Sequence, residues 1–178
     1  ESLQTELMDH AWARSVLPAR PLDAHKGTFG SALVVAGSPQ YVGAAYLACS
    51  GALRTGPGIV TLACARSIYP ILAAKLTETT FEPLDDHDGY LTAQEASYVR
   101  RVAVERGYDA LLVGPGLGQG GYPQAFMKAL LSLLGPAPGD SPGGSGSKPD
   151  TGRSGTLRAL ILDADALNNL AKIDGWHR

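Results

Sequence analysis

From Ser31 onward the chain alternates two kinds of apolar pattern. Short unbroken apolar runs are separated by stretches in which apolar residues recur every three or four positions. Ala32-Leu-Val-Val-Ala36 is the first run, and Ile59–Cys64, Ala110–Val113 and Ala159–Leu162 repeat it. A run without polar alternation is what a strand buried on both faces requires. After the first run, Val42, Ala45, Tyr46, Cys49, Ala52 and Leu53 fall at helical spacing, and Gly56 is placed to close that helix. Ser67–Lys75 reads as a short helix with Pro70 in its first turn, where proline is tolerated. Thr92-Ala-Gln-Glu95 is a capping box that opens a helix to about Arg106. Phe126, Ala129, Leu130 and Leu133 mark one face of the next helix, and a last short helix is predicted near Leu167–Ala171. Apolar strands alternating with helices predict an α/β fold in three layers, a mainly parallel sheet covered by helices on both faces.

Two segments fall outside this rhythm. Residues 1–24 read as a linker or lead-in arm: Leu3, Leu7, Ala11 and Trp12 suggest a short helix, and Pro18 and Pro21 then force extended chain. A stretch rich in glycine, proline and serine, at about 135–157, reads as a flexible insertion within the domain 25–178. The pattern shows no closing strand after Leu162, so the domain reads as incomplete at its C-terminus. A parallel sheet ending there presents an edge that needs cover.

Bulk properties narrow the partners. The 178 residues are 44% hydrophobic and carry a net charge of −2, so no basic surface argues for nucleic acid. No apolar stretch approaches the roughly 18 residues of a membrane span. The acidic, polar N-terminus has no signal-peptide character, which sets a cytoplasmic expectation. Cys49 and Cys64 lie in apolar segments and read as buried free thiols.

The candidate chemistry lies in the turns after the strands, because parallel sheets bind ligands outside their strands' carboxyl ends. Gly37 to Ala45 brings small residues to a helix start, which suits close backbone approach to a ligand or simply a tight turn. Gly114-Pro-Gly-Leu-Gly118 follows the third apolar run. Gly116, Gly118 and Gly121 satisfy the spacing of a dinucleotide fingerprint, but the acidic residue at the required distance, Asp140, falls in the insertion, so backbone approach to another ligand is the better reading. A side chain at Gly118 is then expected to intrude on a ligand while leaving the fold intact; a need for positive φ is the competing account. In Leu162-Asp-Ala-Asp-Ala-Leu-Asn168, Asp165 reads as an N-cap and Asp163 as pointing into the cleft. Two aspartates without further clustered ligands specify no metal. Lys26, before the first strand, is either a phosphate contact or a solvated lysine.

The ordered set Asp23–Gly30, Val35–Ser38, Gly43–Ala45, Gly51–Gly56, Gly114–Gly118 and Leu162–Asn168 resembles the NAD(P)H-hydrate dehydratase family, repair lyases of ribokinase-like fold. The resemblance spans residues 18 to 178 apart from the insertion. It implies nucleotide-dependent dehydration of NADHX or NADPHX, hydrated at nicotinamide C6, with ADP (or ATP) as co-substrate and Mg2+. Ala44 and Gly118 match positions where the family contacts the hydrate, with Gly43 and Gly116 supporting them; Asp163 and Asn168 are further substrate-binding candidates. The family's catalytic aspartate lies in a later Gly-Thr-Gly-Asp segment that has no counterpart before Arg178, and a histidine-containing substrate motif is missing too. No catalytic residue is therefore assigned, and the fragment alone is expected to be inactive. The proline-rich lead-in resembles the junction to a fused NAD(P)HX epimerase domain, and family members often form homo-oligomers. The alternatives are a vitamin-precursor kinase of the same fold and a non-catalytic nucleotide-binding module.

Overall fold

The structure, a computed structural model, describes residues 7–17, 20–134 and 157–176. The expected insertion lies outside the described residues except for Leu157, which packs half-buried against the core. In chain order the elements are α1 (His10–Val16), β1 (Ser31–Val35), α2 (Val42–Thr55), β2 (Ile59–Ala65), α3 (Tyr69–Ala73), β3 (Thr80–Leu84), α4 (Ala93–Glu105), β4 (Ala110–Val113), α5 (Gly121–Leu134), β5 (Ala159–Leu162) and α6 (Asp165–Leu170). The strands form one parallel sheet in the order β3-β2-β1-β4-β5. Right-handed crossovers in that order put α2 and α3 on one face and α4 and α5 on the other.

β1 and β2 occupy the middle of the core, where Leu33, Val34, Val35, Leu62 and Cys64 are buried. The helices end where the sequence provides for it. Gly56 caps α2 at φ +94, and the Thr92 hydroxyl accepts from the Gln94 N–H while the Glu95 carboxylate accepts from the Thr92 N–H. In α5 the buried stripe is Phe126, Met127 and Leu130; Leu133, expected on that face, is 38% exposed.

Two strands depart from the apolar pattern. β3 was not foreseen, because Thr-Phe-Glu-Pro-Leu carries a charge and a proline. Both are tolerated because β3 is an edge strand with one side free of ladder bonds. Glu82 is neutralised there by Arg106 and accepts from the Tyr98 hydroxyl at 2.7 Å. β5, expected to be buried, is mostly exposed, with Leu160 at 40% and Ile161 at 49%. It is the other edge. On the α2 side of the sheet, an apolar groove of about 390 Å³ opens beside it, lined among others by Val34, Ala52, Leu112 and Ile161. α1 holds Ala11 and Trp12 of the expected helix but not Leu7, Leu3 lies outside the described residues, and α1 buries none of its residues.

Candidate functional site

β1 has β2 on one side and β4 on the other, so the connections leaving β1 and β4 diverge. The carboxyl ends of these two strands flank a crevice, the topological switch point at which parallel α/β sheets take ligands. Two glycine turns meet there. The Gly37 N–H, after β1, donates to the Pro115 carbonyl, after β4, at 2.9 Å. Gly116 has φ +65, and a β-carbon on it would stand 2.7 Å from Ala44 Cβ. Lacking one, it lets the second turn press against the start of α2. Ala44, Gly116 and Gly118 thus border one crevice, with Gly43 beside Ala44 and open space around it.

Gly118 is tied into the protein on every side. At φ +83, its N–H donates to Asp165 Oδ2 at 3.0 Å and its carbonyl accepts from Asn169 Nδ2 at 3.0 Å. The Tyr90 ring comes within 2.8 Å of the point where a β-carbon on Gly118 would stand. A side chain at 118 would therefore strain the backbone and strike Tyr90 before reaching any ligand, which corrects the expectation of an intact fold.

Asp165 is the first residue of α6 rather than its cap; Ala164 stands at the N-cap with φ +47 and ψ −115. An alanine in that region carries strain of about 1–3 kcal/mol, of a kind that gathers at functional sites. The freed Asp165 carboxylate is shared among Gly118 N–H, Gln119 Nε2 at 3.2 Å and Asn168 Nδ2 at 3.1 Å. Asn168 therefore reaches the turn through Asp165. Asp163 is exposed, and its carbonyl is packed so tightly on Gly114 that a β-carbon there would stand 1.8 Å away. Lys26 is far from this crevice along the strands: its carbonyl abuts Gly58, just before β2, at the amino ends of the strands.

Three residues of the crevice escaped the sequence reading. Asn169 is fully buried and bridges the Gly118 and Asp165 carbonyls. A polar residue, Asn169, standing with Ala166 and Leu170 on the buried side of a short helix was the available signal. Ser38 is also fully buried, and Tyr90 arrives from the loop after β3. At the rim, His87 stacks on Tyr122 with ring centroids 4.5 Å apart. Burial, and then the neighbouring Cys64 for Cys49 and Asp86 for Cys64, pushes both thiols up to about 12. Among the described residues, no group of three or more His, Cys, Asp or Glu is placed to hold a metal.

The stretch 32–138, which includes both glycine turns, matches the family model described as NAD(P)H-hydrate dehydratase. The chain belongs to the NAD(P)H-hydrate dehydratase family. Among its relatives, the bifunctional NAD(P)H-hydrate repair enzyme Nnr of Moorella thermoacetica is 34% identical over 93% of this chain and 27% of its own length. The ADP-dependent (S)-NAD(P)H-hydrate dehydratase of Bacillus subtilis is 38% identical over 60% of this chain and 35% of its own length. The solved ADP/ATP-dependent NAD(P)H-hydrate dehydratase of Bacillus subtilis, co-crystallised with ATP/Mg2+, superposes with a TM-score of 0.59 at 30% identity, over 88% of this chain and 45% of that one. The fold is thus ribokinase-like, as the resemblance implied. This chain spans between about a quarter and a half of the length of these dehydratases. Among the described residues, no helix is long and apolar enough to cross a membrane.

Proposed function

We propose that this chain forms the substrate-binding part of an ADP-dependent (S)-NAD(P)H-hydrate dehydratase, a lyase that restores NADH or NADPH from the hydrates NADHX and NADPHX. The observation that carries the reading is the meeting of the Gly37–Ala44 and Gly114–Gly118 turns at the β1/β4 switch point in a member of this family. Hydroxide is a poor leaving group. Phosphorylation of the C6 hydroxyl makes it a good one, and elimination then restores the ring's double bond.

In this scheme the described residues bind and orient. Ala44, Gly43, Gly116 and Gly118 border the crevice without an acid or base of their own. The Asp165 carboxylate already accepts from three donors, so it holds Gly118 and serves as no general base. We assign the general base and the nucleotide and Mg2+ sites to other residues of the full protein, as the family resemblance implies. Asp163, exposed beside the crevice, is placed to meet substrate hydroxyls, with Asn168 in the helix that follows. Lys26 has no part in this site. The same reading makes the protein a cytoplasmic homo-oligomer and allows a fused epimerase domain upstream, as in the bifunctional relatives.

The test uses the polypeptide that carries this chain. Supplied with NADH hydrate, ADP and Mg2+, it is expected to recover dihydronicotinamide absorbance, while the 178-residue chain binds the hydrate without turning it over. Phosphorylation of a vitamin-precursor alcohol with no hydrate repair would replace this reading with the kinase one.

A further inference from the structure

We propose that the Ser38 hydroxyl is a substrate-positioning group, and that the Tyr90 ring occupies the substrate ring's place in the ligand-free protein. The inference rests on the dehydratase reading and gives roles to two residues to which the family resemblance assigned none.

Ser38 is fully buried, and its Oγ has no hydrogen-bond partner. Leaving a buried hydroxyl in that state is unfavourable, and it is retained where something else completes it. Its surroundings say where that something enters. Ser38 Oγ lies 3.7 Å from the point where a β-carbon on Gly118 would stand, and the Tyr90 ring reaches within 2.8 Å of the same point. The hydroxyl and the ring therefore share the space over Gly118, inside the switch-point crevice.

Tyr90 belongs to no regular element. It ends a tight turn in which Asp88 and Gly89 both have positive φ, at 54° and 83°. The turn is held by the Asp86 carboxylate, which accepts from Gly89 and from Ser67, and by Gly89 lying against Pro39. The tether includes paired backbone bonds between Tyr90 and His87, so the main chain stays docked and the ring swings out by rotation about its own side-chain bonds. What it vacates is a slot shaped for a six-membered ring, with Ser38 Oγ at its inner end. A dihydronicotinamide hydrate offers a ring of that size bearing carboxamide and hydroxyl groups, either of which can pair with a serine hydroxyl.

Two variants with opposite expected signs test this in the polypeptide that carries the chain, using NADPH hydrate as the probe. Ser38→Ala removes the unpaired hydroxyl, so the ligand-free melting temperature is expected to hold or rise while hydrate affinity falls about tenfold. Tyr90→Ala removes the competing ring, so affinity is expected to rise several-fold, because a site filled by its own side chain binds in proportion to the open fraction. A Ser38→Ala protein that binds hydrate as well as the parent overturns the proposal and leaves the dehydratase reading standing. So does one whose melting temperature falls together with its affinity, since that marks a structural hydroxyl. A Tyr90→Ala protein that keeps the parent's melting temperature but binds more weakly overturns the ring's part. A parent that neither binds nor repairs the hydrate removes the dehydratase reading and this proposal with it.

Discussion

Gly118 shows how tightly the surrounding protein can constrain one residue of a candidate site. Its positive φ and the closeness of Tyr90 both exclude a side chain. Gly118→Ala is expected to cost about 1–3 kcal/mol, because its β-carbon both strains the backbone and meets the Tyr90 ring, and Gly118→Val about 2–4 kcal/mol as the larger side chain drives further into that ring. Denaturant midpoints for the two variants give the measurement. A valine protein as stable as the parent would show that the Tyr90 ring yields freely and the strain is absent. The buried thiols give a second expectation at this scale. Their folded values, raised from 9.0 to about 12, mean that the native state holds protons which the unfolded chain releases. Stability from this source is complete below pH 9 and declines as pH rises toward 12, at up to about 1.4 kcal/mol per pH unit for each thiol. Cys49→Ala combined with Cys64→Ala should flatten the alkaline limb of a stability-versus-pH curve; an unchanged slope would place its cause in other groups.

The elements that the sequence made legible are those whose environment repeats along them. β1, β2 and β4 sit between neighbours, so unbroken apolar runs betray them. β3 hides because an edge strand can hold Pro83, and because Glu82 finds Arg106 and Tyr98 only after folding. The start of α4 was legible because a capping box is local chemistry, complete within four residues. Its value is measurable. Thr92→Ala should cost about 1 kcal/mol and speed hydrogen exchange at the Gln94 amide, whereas Thr92→Ser retains most of the cap. Equal exchange in all three proteins would mean that α4 is held wholly by its buried face of Ala96, Val99, Val102 and Ala103. The crevice was half legible. Its glycines announce themselves in sequence, but Tyr90 and Ser38 approach Gly118 across long separations that no local pattern records. Lys26 illustrates the converse: a residue just before a strand lies at the amino ends of a parallel sheet, opposite the ligand end, and connectivity alone implied as much.

At the scale of the molecule, the sheet has one well-covered side and one bare corner. The groove beside β5 leaves Leu112 half-buried and Ile161 exposed, so the 178-residue chain should bind an apolar dye such as anilinonaphthalene sulfonate in its native state. Ile161→Lys should suppress that binding with only a small fall in the unfolding midpoint, since about half of Ile161 is exposed to begin with. Dye binding equal to the parent's would place the accessible apolar surface on α1 instead, where Trp12 and Val16 are exposed. The strand order has a consequence in time as well as in space. β1 is the first of this sheet's described strands to be made and the central one, yet its partner β4 is far along the chain: Ser31 and Asp109, which bond across that seam, are 78 residues apart. Closing so long a loop is entropically slow, and during synthesis at about 5–20 residues per second β1 waits several seconds with one side unpaired. An apolar strand with a free ladder edge is a template for other chains. The nascent protein therefore passes through its greatest risk of misassembly between the emergence of β2 and that of β4, a window in which a ribosome-bound chaperone would have the most to protect.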